Sequence, residues 1–76
     1  MPSDSYTTSL FKSGTDRIIQ KVGEESVEVV IAAKNESEQR VIEEYADLLF
    51  HSLVLLSQLG IEPKEILKEL EKRHSK

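Results

Sequence analysis

The chain has 76 residues, a formal net charge of −4 and no cysteine. A core of this size is marginally stable, and neither a disulfide nor a thiolate-bound metal is available to support it, so we expect a second copy of the chain to complete the fold. The acidic balance does not favour binding to nucleic acid, and no apolar run approaches the roughly 20 residues that span a membrane. Since no signal-peptide pattern is present either, we expect a cytoplasmic protein.

Two helices are predicted in the first half of the chain. The first is short, covers residues 6–12 and ends before Gly14. The second begins after a cap at Thr15 or Asp16 and runs to about Lys34. Its apolar residues show no sustained alternation over a stretch too long for an ordinary strand, which indicates a helix.

Two further helices follow a polar break. Ser37 is a suitable N-cap for a third helix over residues 38–59, and Gly60 is placed to end it. A fourth helix is predicted over residues 63–74, because it begins with the proline that suits a first helical turn. Apolar residues lie on one side of this helix and charged residues on the other.

The predicted architecture is a single all-α domain over residues 5–76. It is a small helical hairpin-based bundle of about four helices, completed by homodimerisation. Residues 1–4 are expected to form a disordered lead.

Four carboxylates lie within the apolar stretches of the second and third helices. They form two pairs three residues apart, Glu25 with Glu28 and Glu44 with Asp47. A rotation of about 100° per residue puts the first member of each pair inside the apolar stripe and the second about 60° away, at its edge. An antiparallel hairpin brings the two pairs level, roughly 11 to 17 Å from the turn. We therefore expect all four carboxylates to converge between the two helices.

Ionised carboxylates in such a place need compensation, because each carries a desolvation cost and raises the pKa of the others. Lys21 is spaced to pair with Glu25, and His51 to pair with Asp47, but these two cations are too few. A divalent cation bound by oxygen ligands resolves the conflict, and Mg²⁺, with Mn²⁺ as its substitute, suits this donor set. The alternative is a solvated acidic face on a helix whose register has been misjudged. We interpret His51 as a structural residue rather than a metal ligand.

A magnesium site with few protein ligands commonly binds substrate phosphates. The metal would then supply much of the positive charge that a polyanionic substrate requires, which agrees with the acidic chain. Four basic residues flank the acids in sequence and are candidates for binding phosphate: Lys12, Arg17, Lys21 and Lys34. Lys21 is the preferred candidate, since it shares the face of Glu25.

The spacing of the acids resembles a known signature. Two carboxylate pairs of this kind, Glu25-x-x-Glu28 and Glu44-x-x-Asp47, are typical of the all-α nucleoside triphosphate pyrophosphohydrolase superfamily. Within it, the chain resembles the phosphoribosyl-ATP pyrophosphohydrolases from Ser5 onward. The more specific matches are the segments Ser5-Tyr6-Thr7 and Lys21-Val22-Gly23-Glu24-Glu25.

This resemblance implies the second step of histidine biosynthesis, in which phosphoribosyl-ATP is hydrolysed to phosphoribosyl-AMP and pyrophosphate. It implies that the Mg²⁺ ligands and catalytic carboxylates are Glu25, Glu28, Glu44 and Asp47, one of which would orient the attacking water. It also implies phosphate contacts from Lys21 and Lys12 and a pocket partly lined by Tyr6 and Thr7. Members of this family form helical homodimers.

The chain departs from the family pattern at its start. Family members usually carry a further helical stretch before the Ser5-Tyr6-Thr7 segment, whereas only residues 1–4 precede it here. A trimmed form, a naturally short form, or a domain from a fusion with phosphoribosyl-AMP cyclohydrolase, the enzyme of the next step, would each account for this. Such a cyclohydrolase is accordingly an expected fusion or functional partner.

Two other functions agree with the same residues. One is a housecleaning pyrophosphatase that acts on other nucleoside triphosphates. The other is a non-catalytic helical dimerisation module whose acids only stabilise its helices.

Overall fold

The computed structural model describes residues 2–74, and this part of the chain consists of four helices without a strand. The helices are α1 (Pro2–Ser13), α2 (Thr15–Asn35), α3 (Glu38–Leu59) and α4 (Pro63–His74). The predicted all-α fold is confirmed. Completion of the bundle by a second copy stays a prediction.

The ends of α3 follow from local side-chain and backbone chemistry. The Ser37 hydroxyl accepts a hydrogen bond from the backbone N–H of Arg40, 3.3 Å away, as an N-cap does. Gly60 has a φ of 74°, the left-handed conformation that ends a helix without strain only in glycine. The predicted bounds of α3 are therefore confirmed, and so are those of α4.

The first helix is longer than predicted. It begins at Pro2, where the fixed φ of proline suits a first helical turn, and ends before Gly14, whose φ is 94°. The backbone of residues 2–4 is thus helical, which corrects the predicted start of the helix. The disorder expected of residues 1–4 stays a prediction, and residue 1 lies outside the described residues.

Helices α2 and α3 form the hairpin around which the fold is built. Only residues 36 and 37 separate them, and most of the tertiary contacts in the described chain join these two helices. The α1 helix packs across both of them. A connection this short brings the second half of α2 beside the first half of α3, which is the geometry that the predicted cluster of acids requires.

A small apolar core joins the first three helices. Ile18 of α2 is fully buried and packs with Leu10 of α1 and Val54 of α3. Phe50 and Leu55 cover the edge of this group. The core anchors α1 and the start of α2 to the second half of α3, and the acidic residues lie nearer the middle of both hairpin helices.

The fourth helix contributes no buried residue. Its apolar side chains are exposed beside exposed leucines of α3, and together they form an apolar groove lined in part by Leu49, Leu53, Leu56, Ile66 and Leu67. A second apolar groove on α3 is lined in part by Ile42, Tyr45 and Leu49. None of the described helices is long and apolar enough to cross a membrane.

Candidate metal centre

Three carboxylates meet where α2 and α3 lie side by side. Glu25 extends from α2, and Glu44 and Asp47 extend from successive turns of α3. One carboxylate oxygen of each lies within 4.8 Å of an oxygen of both others. The predicted alignment of the two acidic stretches across the hairpin is confirmed for these three residues.

The donor set fits a hard divalent cation. Oxygen ligands about 2.1 Å from one Mg²⁺ lie at most about 4.2 Å apart, so a small side-chain adjustment would close the cluster around an ion. Three carboxylates leave the remaining coordination positions for water or for substrate oxygens, as magnesium sites commonly do. Exposure increases from Glu44, which is 7% exposed, through half-buried Glu25 to exposed Asp47, so the cluster is open to solvent on one side.

Glu44 is the carboxylate with the most perturbed environment. Burial raises its pKa, and the negative charges of Asp47 and Glu25 raise it further. The nearby Arg40 guanidinium opposes these effects and is the second-largest influence. A buried acid beside two other acids is costly to ionise, which is the situation that a bound cation relieves.

Two basic side chains pair with the cluster from opposite helices. Lys21 Nζ lies 3.6 Å from Glu25 and 3.5 Å from Glu24, and its side chain is 20% exposed. The predicted pairing of Lys21 with Glu25 is thus confirmed. On α3, Arg40 Nη2 lies 2.6 Å from Glu44 Oε2. Sequence reasoning missed Arg40, although its spacing of four residues from Glu44 is the signal that reveals helical ion pairs.

Glu28 does not join the other three acids. It is exposed on α2, and it is not among the charges that act on Glu44. The predicted convergence of all four carboxylates is therefore corrected to three. Glu28 is rotated by about 60° from Glu25 toward the rim of the apolar stripe, and Asp47 has the same offset from Glu44, so this rotation alone does not decide which of the two joins the cluster. Its role as a metal ligand stays a prediction.

His51 connects the cluster to α1. The ring is 5% exposed, its Nδ1 lies 2.7 Å from the backbone carbonyl of Asp47, and its Nε2 lies 2.7 Å from the Tyr6 hydroxyl. Because a carbonyl only accepts, Nδ1 carries the proton, and in the neutral ring Nε2 then accepts from Tyr6. Both ring nitrogens thus have partners within the chain, as the structural interpretation of His51 predicts, and its exclusion as a metal ligand stays a prediction. Its partner in Asp47 is the backbone, however, and not the carboxylate that the spacing suggested.

The remaining predicted residues lie on α1. Tyr6 is 41% exposed, and its hydroxyl is hydrogen-bonded to His51 Nε2. Thr7 is half-buried, and Lys12 is exposed in the last turn of the helix. Their contacts with a substrate stay predictions.

The family model for phosphoribosyl-ATP pyrophosphohydrolase matches residues 1–74. The chain belongs to the phosphoribosyl-ATP pyrophosphohydrolase family. It is 56% identical over 75 residues to the phosphoribosyl-ATP pyrophosphatase of Leptospira biflexa, a match that covers 99% of this chain and 82% of that protein. The corresponding protein of Geobacter sulfurreducens is 49% identical, with 96% of this chain and 68% of that protein covered.

Some members of the phosphoribosyl-ATP pyrophosphohydrolase family are much longer than this chain. The histidine biosynthesis bifunctional protein of Oceanobacillus iheyensis is 56% identical over 70 residues, which are 92% of this chain and 33% of that protein. The chain thus spans about a third of this bifunctional relative. Family membership confirms the resemblance drawn from the acid pairs and the Ser5-Tyr6-Thr7 segment.

Proposed function

We propose that the chain hydrolyses phosphoribosyl-ATP between its α and β phosphates, giving phosphoribosyl-AMP and pyrophosphate. The observation that carries this proposal is the meeting of Glu25, Glu44 and Asp47 within 4.8 Å in a chain of this family. Two relatives that match most of this chain are named for the same activity.

We further propose that these three carboxylates hold Mg²⁺, with Mn²⁺ as its substitute. Glu28, on the exposed side of α2 one turn away, would complete the ligand set when substrate is present. The metal supplies positive charge for the phosphates and lowers the pKa of a bound water. Since Glu44 is buried while Asp47 faces solvent, the solvent side of the cluster is the direction from which a polyanion would approach.

Lys21 is the chain's best-situated phosphate ligand. Its ammonium group already lies within 3.6 Å of two carboxylates, and a fifth of the side chain remains accessible. A cation in this position would pair with a phosphate oxygen once a metal neutralises Glu25. Lys12, Tyr6 and Thr7 belong to the first helix and would contact other parts of the substrate.

We propose that the chain forms a homodimer, because a second copy would cover its exposed apolar surface. Among residues 5–74, fifteen large apolar side chains are exposed and five apolar residues are buried, which is a small core. Covering the apolar groove between α3 and α4 with a second copy would bury its leucines. Leu49→Glu should therefore shift the chain toward monomer in analytical ultracentrifugation, while Gln39→Glu, at an exposed polar position of α3, should not.

We also propose a functional link with phosphoribosyl-AMP cyclohydrolase. The proposed product is that enzyme's substrate, and relatives named as histidine biosynthesis bifunctional proteins support a fused arrangement of two activities. Such a metabolic role agrees with a cytoplasmic location.

Pyrophosphate release tests the proposed reaction. The purified chain should release pyrophosphate from phosphoribosyl-ATP when Mg²⁺ is present and should stop when the metal is chelated. Glu44→Gln should remove this activity, whereas Glu38→Gln, at an exposed acid in the first turn of α3, should retain it. Absence of release at every Mg²⁺ concentration would contradict the proposal.

A panel of ordinary nucleoside triphosphates separates the proposed substrate from those of a housecleaning pyrophosphatase. Faster turnover of any of them than of phosphoribosyl-ATP would favour the latter. A dimerisation module would show no turnover with any member of the panel and no change in melting temperature on addition of Mg²⁺.

A further inference from the structure

The Arg40 side chain pairs with three carboxylates. Two of them are on α3, and the third is in the connection that precedes this helix. Its Nη2 bonds to Glu44 at 2.6 Å, its Nη1 bonds to Glu43 at 2.5 Å, and its Nε lies 3.5 Å from Glu36. Glu44 belongs to the acidic cluster, whereas Glu43 and Glu36 are on the solvent side. The guanidinium therefore links the cluster to two acids outside it.

We infer that Arg40 is the exchangeable counter-cation of the cluster, bound to Glu44 in the metal-free chain and displaced onto Glu43 and Glu36 when a divalent cation binds. This inference rests on the proposed metal site. It assigns to Arg40 a role in setting how tightly the site holds its ion.

Competition for lone pairs is the first argument for displacement. A guanidinium hydrogen-bonded to Glu44 Oε2 takes up one of the two oxygens that this carboxylate can offer to a metal ion, and its positive charge repels an incoming cation. Both effects oppose metal binding. Removing the guanidinium should therefore strengthen cation binding through each of them.

The second argument is that Arg40 is far more exposed than Glu44 and has other acidic partners. The side chain of Arg40 is 45% exposed, while that of Glu44 is 9% exposed and is held against the hairpin. Arg40 retains a charge-assisted hydrogen bond to Glu43 when it leaves Glu44, so it does not become an unpaired charge. The move thus replaces one ion pair by a metal–carboxylate contact and keeps the other.

The ion pair between Lys21 and Glu25 on α2 is longer than the one between Arg40 and Glu44. Lys21 Nζ is 3.6 Å from Glu25, which is longer than an ordinary hydrogen bond, so it blocks a carboxylate oxygen less than Arg40 does. Of the two cations that pair with the cluster, Arg40 is therefore the stronger competitor.

Binding of Mn²⁺ to the full chain without substrate tests this inference, with free Mn²⁺ measured by electron paramagnetic resonance. Arg40→Gln should bind Mn²⁺ roughly three- to tenfold more tightly than the unaltered chain, the range expected for loss of a charge-assisted pair. Arg40→Lys should fall between the two. Arg73→Gln is the matched control, because it removes the same charge from an exposed ion pair with Glu69 on α4.

Direct displacement has a separate readout. Addition of Mg²⁺ to the unaltered chain should shift the Nε–H resonance of Arg40 and leave that of Arg73 unchanged. Melting curves recorded by circular dichroism establish that each variant is folded. If Arg40→Gln does not fold, the Mn²⁺ affinity of Arg40→Lys is compared with that of the unaltered chain instead.

The outcomes are distinguishable. Unchanged or weaker Mn²⁺ binding by the folded Arg40 variants, or equal tightening by Arg73→Gln, would overturn the counter-cation role while the proposed metal site stands. Failure of the unaltered chain to bind Mn²⁺ at all would refute the metal site and the role of Arg40 with it.

Discussion

Tyr6 and His51 are joined by a hydrogen bond of 2.7 Å although 45 positions separate them in the chain. The same imidazole bonds to the backbone carbonyl of Asp47, so α1 is fastened to the turn of α3 that carries a cluster carboxylate. The rings of Tyr6 and Phe50 also stack, with centroids 6.0 Å apart. The first helix is thereby held against the turn of α3 next to the candidate metal centre.

Removing the tyrosine hydroxyl should loosen this connection. Tyr6→Phe keeps the ring contact but leaves the buried Nε2 of His51 without its donor, which should lower the free energy of unfolding by about 1 kcal/mol. Tyr45→Phe is the control, since that side chain is 57% exposed on α3. Urea unfolding at one fixed protein concentration would measure both. A Tyr6→Phe chain as stable as the control would show that the hydrogen bond contributes nothing.

The assigned tautomer of His51 can be read directly. Nitrogen chemical shifts should identify Nδ1 as the protonated nitrogen and Nε2 as the acceptor in the neutral ring, because a carbonyl faces Nδ1. In Tyr6→Phe the Nε2 signal should move most, since it loses its hydrogen bond. The opposite tautomer would contradict the geometry around Asp47.

Local chemistry accounts for what the sequence predicted well. The cap at Ser37, the left-handed Gly60 and the proline at the start of α4 each depend on neighbours within a few residues, so the bounds of α3 and α4 follow from the sequence. The convergence of Glu25 with the two acids of α3 also follows, because helical rotation and a short turn determine it.

The parts that were missed depend on side-chain direction and on distant partners. Glu28 and Asp47 both lie about 60° from the first acid of their pair, at the edge of the apolar stripe, and only the packed helices show that Asp47 joins the cluster and Glu28 does not. The Tyr6–His51 bond joins residues that are close only once α1 is docked, which no spacing rule conveys. Arg40 had a readable spacing from Glu44, but its three acidic partners are evident only from the contacts.

Neutralising Glu44 should separate function from stability. Glu44→Gln should lower pyrophosphate release by about 100-fold or more, since even the outer-sphere partners of metal ligands contribute 10- to 100-fold. The same variant should melt at a higher temperature than the unaltered chain when no metal is present, because burial and the charges of Asp47 and Glu25 oppose ionisation of Glu44. Equal or lower stability of the variant without metal would contradict this account.

The difference in stability between Glu44→Gln and the unaltered chain, both without metal, should depend on pH in a defined direction. The folded state raises the pKa of Glu44 above 4.5, so the native chain retains a proton that the unfolded chain releases. The stabilisation from this proton is present below about pH 4.5 and is lost as the pH rises through the folded-state pKa. Without metal, the advantage of Glu44→Gln should therefore grow between pH 4.5 and neutrality. A constant difference in thermal unfolding across this range would contradict the raised pKa.

Glu28 should behave differently from Glu44 because it is exposed and apart from the other acids. Glu28→Gln should leave the free energy of unfolding of the metal-free chain within about 0.5 kcal/mol, as for other exposed positions. If Glu28 completes the ligand set when substrate is bound, the same variant should lower turnover and require more Mg²⁺ for half-maximal activity. Glu65→Gln, at an exposed acid on α4, is the control. Turnover and Mg²⁺ requirement equal to those of the control would remove Glu28 from the site and leave three carboxylates as its full complement.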